Sequence, residues 1–421
     1  MVLMFVTALA FSLFAAGAAS PAHADEVDTD TYDYILSGNV TFNNKPLDGV
    51  LITVKGPQTD TKVKTGADGK WKVGVPKKAA YTVTLDENTL PTGVVVAKGG
   101  NPITAEFGLT KTKSVNFFLG EGTRVTVSFF DQLLNRIVNG LNFGLLLALA
   151  AIGLSLIYGT TGLSNFAHSE MITFGALMTL TFAVNFALPV WIAILIAIVL
   201  SAGLGWGLDA AIWKPLRKRG VGVIQLMIVS IGLALAMRYT YQFFFGGTTR
   251  QLPGSSPTDL QLGPLSLSSI DLASMGISIV VLLGVAYFLL RTRIGKATRA
   301  VSDNPSLASA SGIDVDHVIR IVWVIGAALA GLSGILWAYF RPGVSWDMGF
   351  QILLLVFAAV TLGGLGTAFG ALVGSIIVGL FVELSTLWIP ADMKFVVALV
   401  VLIVVLLVRP QGILGRKERI G

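Results

Sequence analysis

Cysteine is missing from all 421 residues, so the chain forms no disulfide and offers neither a thiol nucleophile nor a thiolate metal ligand. Histidine occurs three times, as the scattered His23, His168 and His317, and no metal centre is expected from that spacing. Charged residues make up 13% of the chain, where soluble domains carry about 25%. A phosphate-binding loop is missing too. Gly295-Lys296 has the ending of one, yet Leu290 stands where its first glycine belongs and Ala297 where Ser or Thr should come next. GGLGTAFG, residues 363–370, lacks the G-x-G-x-x-G spacing and sits between apolar segments, which excludes a dinucleotide site. The chain therefore cannot hydrolyse ATP by itself. Neither a resident cofactor nor enzymatic activity is expected of it.

What the chain does have is apolar sequence. Mean hydropathy is +0.76 and 54% of residues are hydrophobic. Several apolar runs reach the length of about 20 residues that crosses a hydrocarbon core of about 30 Å. These properties describe a polytopic membrane protein. Spans are expected at 134–157, 165–185, 189–212, 222–244, 272–290, 318–339, 350–364, 367–388 and 393–408. The runs 350–364 and 367–388 are short and meet at Gly363-Gly364-Leu365-Gly366. Broken or re-entrant helices are the alternative to two full crossings there, giving about eight to nine transmembrane helices.

The net charge of +6 is read by position, as an orientation signal, and no nucleic-acid partner is inferred from it. Lys214, Arg217, Lys218 and Arg219 come after the third span. Arg291, Arg293, Lys296 and Arg299 come after the fifth, and Arg409, Arg416, Lys417 and Arg419 after the last. Basic loops stay cytoplasmic, so these three clusters and the C terminus are expected inside.

The N-terminal third differs. Residues 1–24 read as a secretory signal peptide ending in Ala22-His23-Ala24, or as an uncleaved anchor. Either reading exports the segment from Asp25 onward. Asp25, Glu26, Asp28, Asp30 and Asp33 read as a solvated linker rather than a calcium site. YILSGNVTF, GVLITVKG, KWKVGVP, AYTVTLDE and KSVNFFLG alternate, with turn residues between them, and predict a small all-β sandwich over residues 25–125. The Gly66-Ala67-Asp68-Gly69-Lys70-Trp71 hairpin resembles those of carboxypeptidase-regulatory-like or transthyretin-like sandwiches. The exported position of this domain fits docking of a binding protein or of cell-envelope material.

Two polar stretches interrupt the apolar two-thirds. In YGTTGLSNFAHSEMITFGA, residues 158–176, Gly159 and Gly162 break a helix, and Asn165, His168, Ser169 and Glu170 lie near the start of the next. Ionisable groups at membrane depth mark a pathway or a site by default, and broken helices expose backbone to substrate. The alternative has Asn165 capping the second span and Glu170 at headgroup level. Asp209 and Glu383 are read as interfacial groups at span ends. The second stretch is GKATRAVSDNPSLASASGID, residues 295–314. Asn304 before Pro305 is a helix start, and Gly312 fits its stop. A short capped helix is expected there, either as a docking knob or as an ordinary loop. Elsewhere Gly326, Ala330 and Gly334, and Gly370, Gly374 and Gly379, are spaced for close helix packing in lipid.

Gly295, Arg299, Ala300, Pro305, Ala308, Gly312 and Ile313 together resemble the coupling loop of ABC importer permeases. The likeness is to the branched-chain amino acid (leucine/isoleucine/valine) permease family and its urea/amide relatives. GLSLIYGTTGLSNFAHSEMITFGA, AAVTLGGLGTAFGALVGSIIVGL and the ending LLVRPQGILGRKERI extend it over residues 130–421. Ser169 stands where that family's pattern usually has glycine. The resemblance implies an all-α permease domain, preceded here by the β-sandwich, in the plasma membrane of a bacterium. It implies two ATPase subunits that use the ATP, a second homologous permease subunit and an extracytoplasmic solute-binding protein. By the same resemblance, Gly295, Arg299, Asp303, Asn304, Pro305, Ala308 and Gly312 would form the ATPase coupling loop, with Asn165, His168 and Glu170 near the path of a small-molecule solute. Branched-chain amino acids are the expected solute, with urea or short amides as the near alternative. A membrane-anchored adhesion or sensor protein, with the β domain as its working part, is a reading of another class.

Overall fold

The computed structural model describes residues 32–390 apart from 43–44, 58, 92, 97–100, 108–109, 122–127, 255–258, 263–264 and 342. Further on it describes 393, 396, 399–400, 402–404, 407 and 411–415. Residues 1–24, Asp25, Glu26, Asp28 and Asp30 lie outside the described residues, as do most of 393–408 and the last basic cluster, Arg409, Arg416, Lys417 and Arg419. The chain divides into two compact units, 1–126 and 127–421.

The first unit is built on β1 (Tyr34–Phe42). This strand pairs antiparallel with β5 (Lys70–Val75), from Tyr34 opposite Val75 to Asn39 opposite Lys70. It also pairs antiparallel with β2 (Lys45–Pro46), and parallel with β9 (Thr112–Ser114) and β10 (Phe117–Glu121); β7 (Val94–Val96) extends β10. A second sheet runs in the order β4-β3-β6-β8, from Thr59–Lys64, Leu51–Gly56, Ala80–Leu85 and Ile103–Glu106. Alternation buries Trp71, Val73 and Val75 from one sheet with Ile52, Val54, Tyr81, Val83 and Leu85 from the other in one apolar core. At the Gly66–Lys70 hairpin the Asp68 carboxylate accepts the Lys70 N–H at 3.0 Å, and Gly69 takes a φ of +73° that suits glycine.

The second unit is helical. Its elements are α1 (Phe129–Thr161), α2 (His168–Leu180, running on as a π-turn through Asn185), α3 (Val190–Lys218) and α4 (Val223–Phe245). Next come a hairpin of β11 (Asp259–Leu262) and β12 (Leu265–Ser268), α5 (Ser269–Arg291), α6 (Arg293–Asp303) and α7 (Pro305–Ala310). The described helices end with α8 (Val315–Phe340), α9 (Met348–Gly363) and α10 (Ala368–Ser385). Six of them, α1, α3, α4, α5, α8 and α10, are long and apolar enough to cross a membrane, and α9 is a shorter apolar helix. The break at 363–366 makes two helices: Gly364 (φ +114°) and Gly366 (φ +79°) turn the chain so that α10 folds back along α9.

Burial separates centre from rim. The most apolar windows of α1 and α8 are 89% and 78% buried, against 22%, 17% and 28% for α3, α4 and α5. Apolar rim faces suit lipid, so α1 and α8 form the core. Small residues let the backbones close. Gly140 and Gly144 of α1 lie against Leu380 and Ile376 of α10, Gly175 of α2 against Gly331 of α8, and Gly205 of α3 against the Trp323 carbonyl. One end of the unit holds the C-terminal ends of α1 and α3, with α6, α7 and the start of α8. There Lys214 Nζ meets Asp316 at 3.2 Å, and a Cβ on Gly159 would lie 2.8 Å from Ser302 Oγ. The basic clusters 214–219 and 291–299 therefore share this end.

Candidate functional site

α1 stops at Gly162, which takes a left-handed φ of +69°, and residues 163–167 run as non-helical chain before α2 begins. Such backbone is tolerated at membrane depth only where protein or a cavity covers it. Here it is covered, since Leu163, Asn165 and Ala167 are buried. Asn165 does not cap α2 directly. Its Oδ1 accepts the Ala167 N–H at 3.1 Å and its backbone carbonyl accepts the His168 N–H at 3.3 Å, which makes a tight turn one residue before the helix. The Phe166 N–H donates to Ser230 Oγ of α4 at 3.1 Å.

His168 is fully buried against α1. Its Nε2 donates to the Ala150 carbonyl at 2.9 Å, which sets the proton on that nitrogen, while Nδ1 has no partner among the described residues. Glu170 is also fully buried, not at the headgroup level of the alternative reading. Its Oε1 accepts from Arg238 Nε at 3.0 Å, from Arg238 Nη2 at 2.8 Å and from Ser169 Oγ at 3.1 Å, and Tyr241 Oη donates to its backbone carbonyl at 3.2 Å. Ser169 thus adds a hydrogen bond that glycine could not make. The Arg238 guanidinium lies 3.8 Å from the ring centroid of Phe350 on α9. Asn165, His168 and Glu170 are brought to one buried junction of α1, α2, α4 and α9, and Arg238 completes it.

Asp209 and Glu383, expected at the interface, are buried in ion pairs. Arg217 Nη1 lies 2.8 Å from Asp209 Oδ1 and Arg320 Nε 3.8 Å from Oδ2, close enough for charge pairing but not aligned as hydrogen bonds. Arg136 Nη1 meets Glu383 Oε2 at 3.5 Å. Burial comes from helix crowding: Asp209 sits in a π-turn of α3 beside the stacked Trp213 and Trp323 rings, 5.4 Å apart. Among the described residues no three His, Asp or Glu side chains come close enough to hold a metal.

The second stretch lies at the basic end. Thr292 Oγ1 accepts the Gly295 N–H at 3.0 Å and starts α6, an amphipathic helix that buries Gly295, Thr298 and Val301. Arg299 and Asp303 lie on this helix. Asn304 ends α6 and caps α7, its Oδ1 accepting the Leu307 N–H at 3.0 Å, with Pro305 at the first helical position. Gly312 turns at φ +83° and leads to α8. Within α7 only Ala308 is buried; Leu307 is 65% exposed. α6 touches α1 through Gly159, where an added Cβ would also lie 2.9 Å from the Gly366 carbonyl. The helix next to the water-facing loop therefore bears directly on the last turns of α1, before the break at 162–167.

Comparison with known proteins gives a consistent result for this unit. The family described as "Branched-chain amino acid transport system / permease component" matches residues 136–406. The high-affinity branched-chain amino acid transport system permease protein LivH of Escherichia coli (strain K12) is 31% identical over 306 residues, covering 69% of this chain and 97% of that protein. BraD of Pseudomonas aeruginosa, another high-affinity branched-chain amino acid permease protein, is 30% identical over 298 residues, 68% of this chain and 96% of BraD. A probable branched-chain amino acid transport permease protein LivH of Methanocaldococcus jannaschii is 32% identical over 282 residues, 64% of this chain and 89% of its own length. No solved structure matches.

Proposed function

The chain belongs to the branched-chain amino acid transport system permease family, and on that premise we propose that it works as the membrane permease subunit of an ABC importer for leucine, isoleucine and valine. The observation that carries this reading is α7, a capped six-residue helix that is exposed apart from Ala308 and sits beside the basic end of the unit. Two partner ATPase subunits bind the coupling helices of the two permease subunits, and in this chain one of them grips α7, with Asp303, Asn304, Pro305 and the exposed Leu307 as the contact and Gly295 and Arg299 holding α6 beneath it. ATP is bound and used by those partners. A second homologous permease subunit completes the path, and an extracytoplasmic binding protein delivers the solute. Movement of α7 passes through α6 to Gly159 and the break at 162–167, where Asn165, His168 and Glu170 border the path. The shared position of clusters 214–219 and 291–299 supports a cytoplasmic α7 end in a bacterial plasma membrane. The β-sandwich and the residues before it would then be extracytoplasmic and the C terminus cytoplasmic, with residues 1–24 directing export.

Uptake of labelled leucine and of labelled urea in a deletion strain, with and without this gene restored, tests the reading. Loss and rescue of leucine alone supports the amino-acid permease, and loss and rescue of urea alone moves it to the amide branch. Transport retained after deletion of residues 25–125 separates a permease from an adhesion or sensor protein.

A further inference from the structure

On the outer face of the first sheet of the β-sandwich, six polar side chains form two parallel rails. β1 buries Leu36 and Val40 in the core and leaves Ser37 and Asn39 on the opposite face. Strand register then sets the rows. Ser37 lies between Lys72 of β5 and Ser114 of β9, and Asn39 lies opposite Lys70 of β5. Asn116, two residues past Ser114, joins the second row, because its Oδ1 accepts the Asn39 N–H at 3.2 Å. The rows are two strand residues apart, roughly 7 Å. The floor between them is Gly38 and Trp71, paired across the strands, with the Trp71 side chain buried in the core below. Rails and floor together line a groove of about 410 Å³, within the range of about 300–1,000 Å³ typical of small-ligand sites.

The two ends of the groove differ. At β5 both rails finish in ammonium groups. Lys70 pairs loosely with the exposed Asp68 at 3.6 Å, and Lys72 has no ion pair among the described residues. At β9 the rails finish in a hydroxyl and an amide. The Asn116 oxygen also accepts from Ser114 Oγ at 3.4 Å, which leaves its NH2 group to donate. Among the described residues, no acidic side chain lines the groove. A ligand that fills it is narrow, negative at one end and rich in hydroxyls at the other. A pyranose ring bearing a carboxylate or a phosphate has that chemistry. A neutral sugar leaves both ammonium groups unused, and an acidic peptide lacks hydroxyls for the β9 end.

We infer that this groove binds an acidic sugar unit, with Lys70 and Lys72 on the anionic group and Ser114 and Asn116 on the ring hydroxyls. The site goes beyond transport and stands whichever solute the permease carries. It takes from the proposed function only that the β-sandwich faces outward.

The test is equilibrium binding to the purified full-length chain in lipid nanodiscs. The probes are trigalacturonate (a carboxylate sugar), glucose 1-phosphate, the neutral galactotriose and triglutamate. One or both acidic sugars should bind well above galactotriose and triglutamate. Lys72→Gln should weaken that binding about tenfold, the loss of one charge-assisted hydrogen bond, and Asn116→Asp should weaken it at least as much. Lys62→Gln, an exposed lysine on β4 of the other sheet, should leave it unchanged. No binding of either acidic sugar overturns the site, as does binding that is equal in Lys72→Gln, Asn116→Asp and wild type. Triglutamate binding as tightly as the acidic sugars, and lost in the same variants, turns the groove into a contact for an acidic protein surface and overturns the sugar. Purified protein that binds while intact cells expressing it take up no more labelled probe than Lys72→Gln cells overturns the outward placement and leaves the groove standing.

Discussion

Arg238 and Glu170 come from α4 and α2 and meet through a single oxygen, both guanidinium donors converging on Glu170 Oε1 at 3.0 and 2.8 Å. The second carboxylate oxygen, Oε2, has no partner among the described residues. In hydrocarbon such a pair is costly to form and still more costly to leave half-made. It fixes α2 against α4 at the point where the chain has just come out of its break.

Glu170→Gln and Arg238→Gln should each lower stability by about 3–5 kcal/mol, because each leaves a buried charge without its partner. The double variant should lose much less than the sum. Melting of the detergent-solubilised protein through a double-mutant cycle measures this, and additive losses would show that the two side chains do not stabilise each other.

Glycine contacts predict a sharp contrast. A Cβ on Gly175 runs into the Gly331 backbone, whereas one on Gly203 meets nothing within 4 Å. Gly175→Val should therefore sharply reduce the amount of folded protein in membranes, and Gly203→Ala should match or slightly exceed wild type through better helix propensity. Quantitative blots of membrane fractions read both.

At α7, stability and coupling should separate. Asn304→Ala removes the cap bond to Leu307 and should cost about 1 kcal/mol. Leu307→Asp, on a side chain 65% exposed, should leave the melting temperature unchanged and abolish ATP-driven uptake together with co-purification of the ATPase. Unimpaired uptake in Leu307→Asp would take the partner contact away from this helix.

Gly159→Leu should act on transmission. The new side chain has to share space with Ser302 Oγ and the Gly366 carbonyl. ATPase subunits should still co-purify with the variant, and uptake per ATP hydrolysed should fall several-fold. An unchanged ratio would show that α6 does not act through α1.

Helix positions are legible because long apolar runs bounded by glycine and charge have few alternatives; the expected 222–244 is Val223–Phe245 in the fold, and 272–290 is Ser269–Arg291. The span expected at 165–185 starts later, at His168, because Asn165 ties the chain into a turn first. Strand β4, TDTKVK, is hidden in the sequence since its six residues are exposed or only half-buried and bear charge. The same holds for α6, whose amphipathic face is short. Arg238 is absent from the sequence-based site, although one arginine inside an apolar helix with one unmatched glutamate in another is a recognisable signal. Which helices they would bring together lies in tertiary packing, beyond the reach of periodicity. For Asn165, His168 and Glu170, the sequence locates the break; that His168 and Glu170 turn to opposite neighbours, α1 and α4, depends on how α2 is rotated.

In mechanical terms, α7 is a handle with two shafts. One leaves through Asn304 into α6 and meets α1 at Gly159; the other leaves through Gly312 into α8, the most deeply packed of the six long helices after α1. The first linkage is short, so in the proposed coupling a push at Leu307 would reach the end of α1 with little gain in amplitude. In that coupling a wide opening would come from the long arm, the 26 residues of α8, pivoting on the glycines where α2 and α3 press against it.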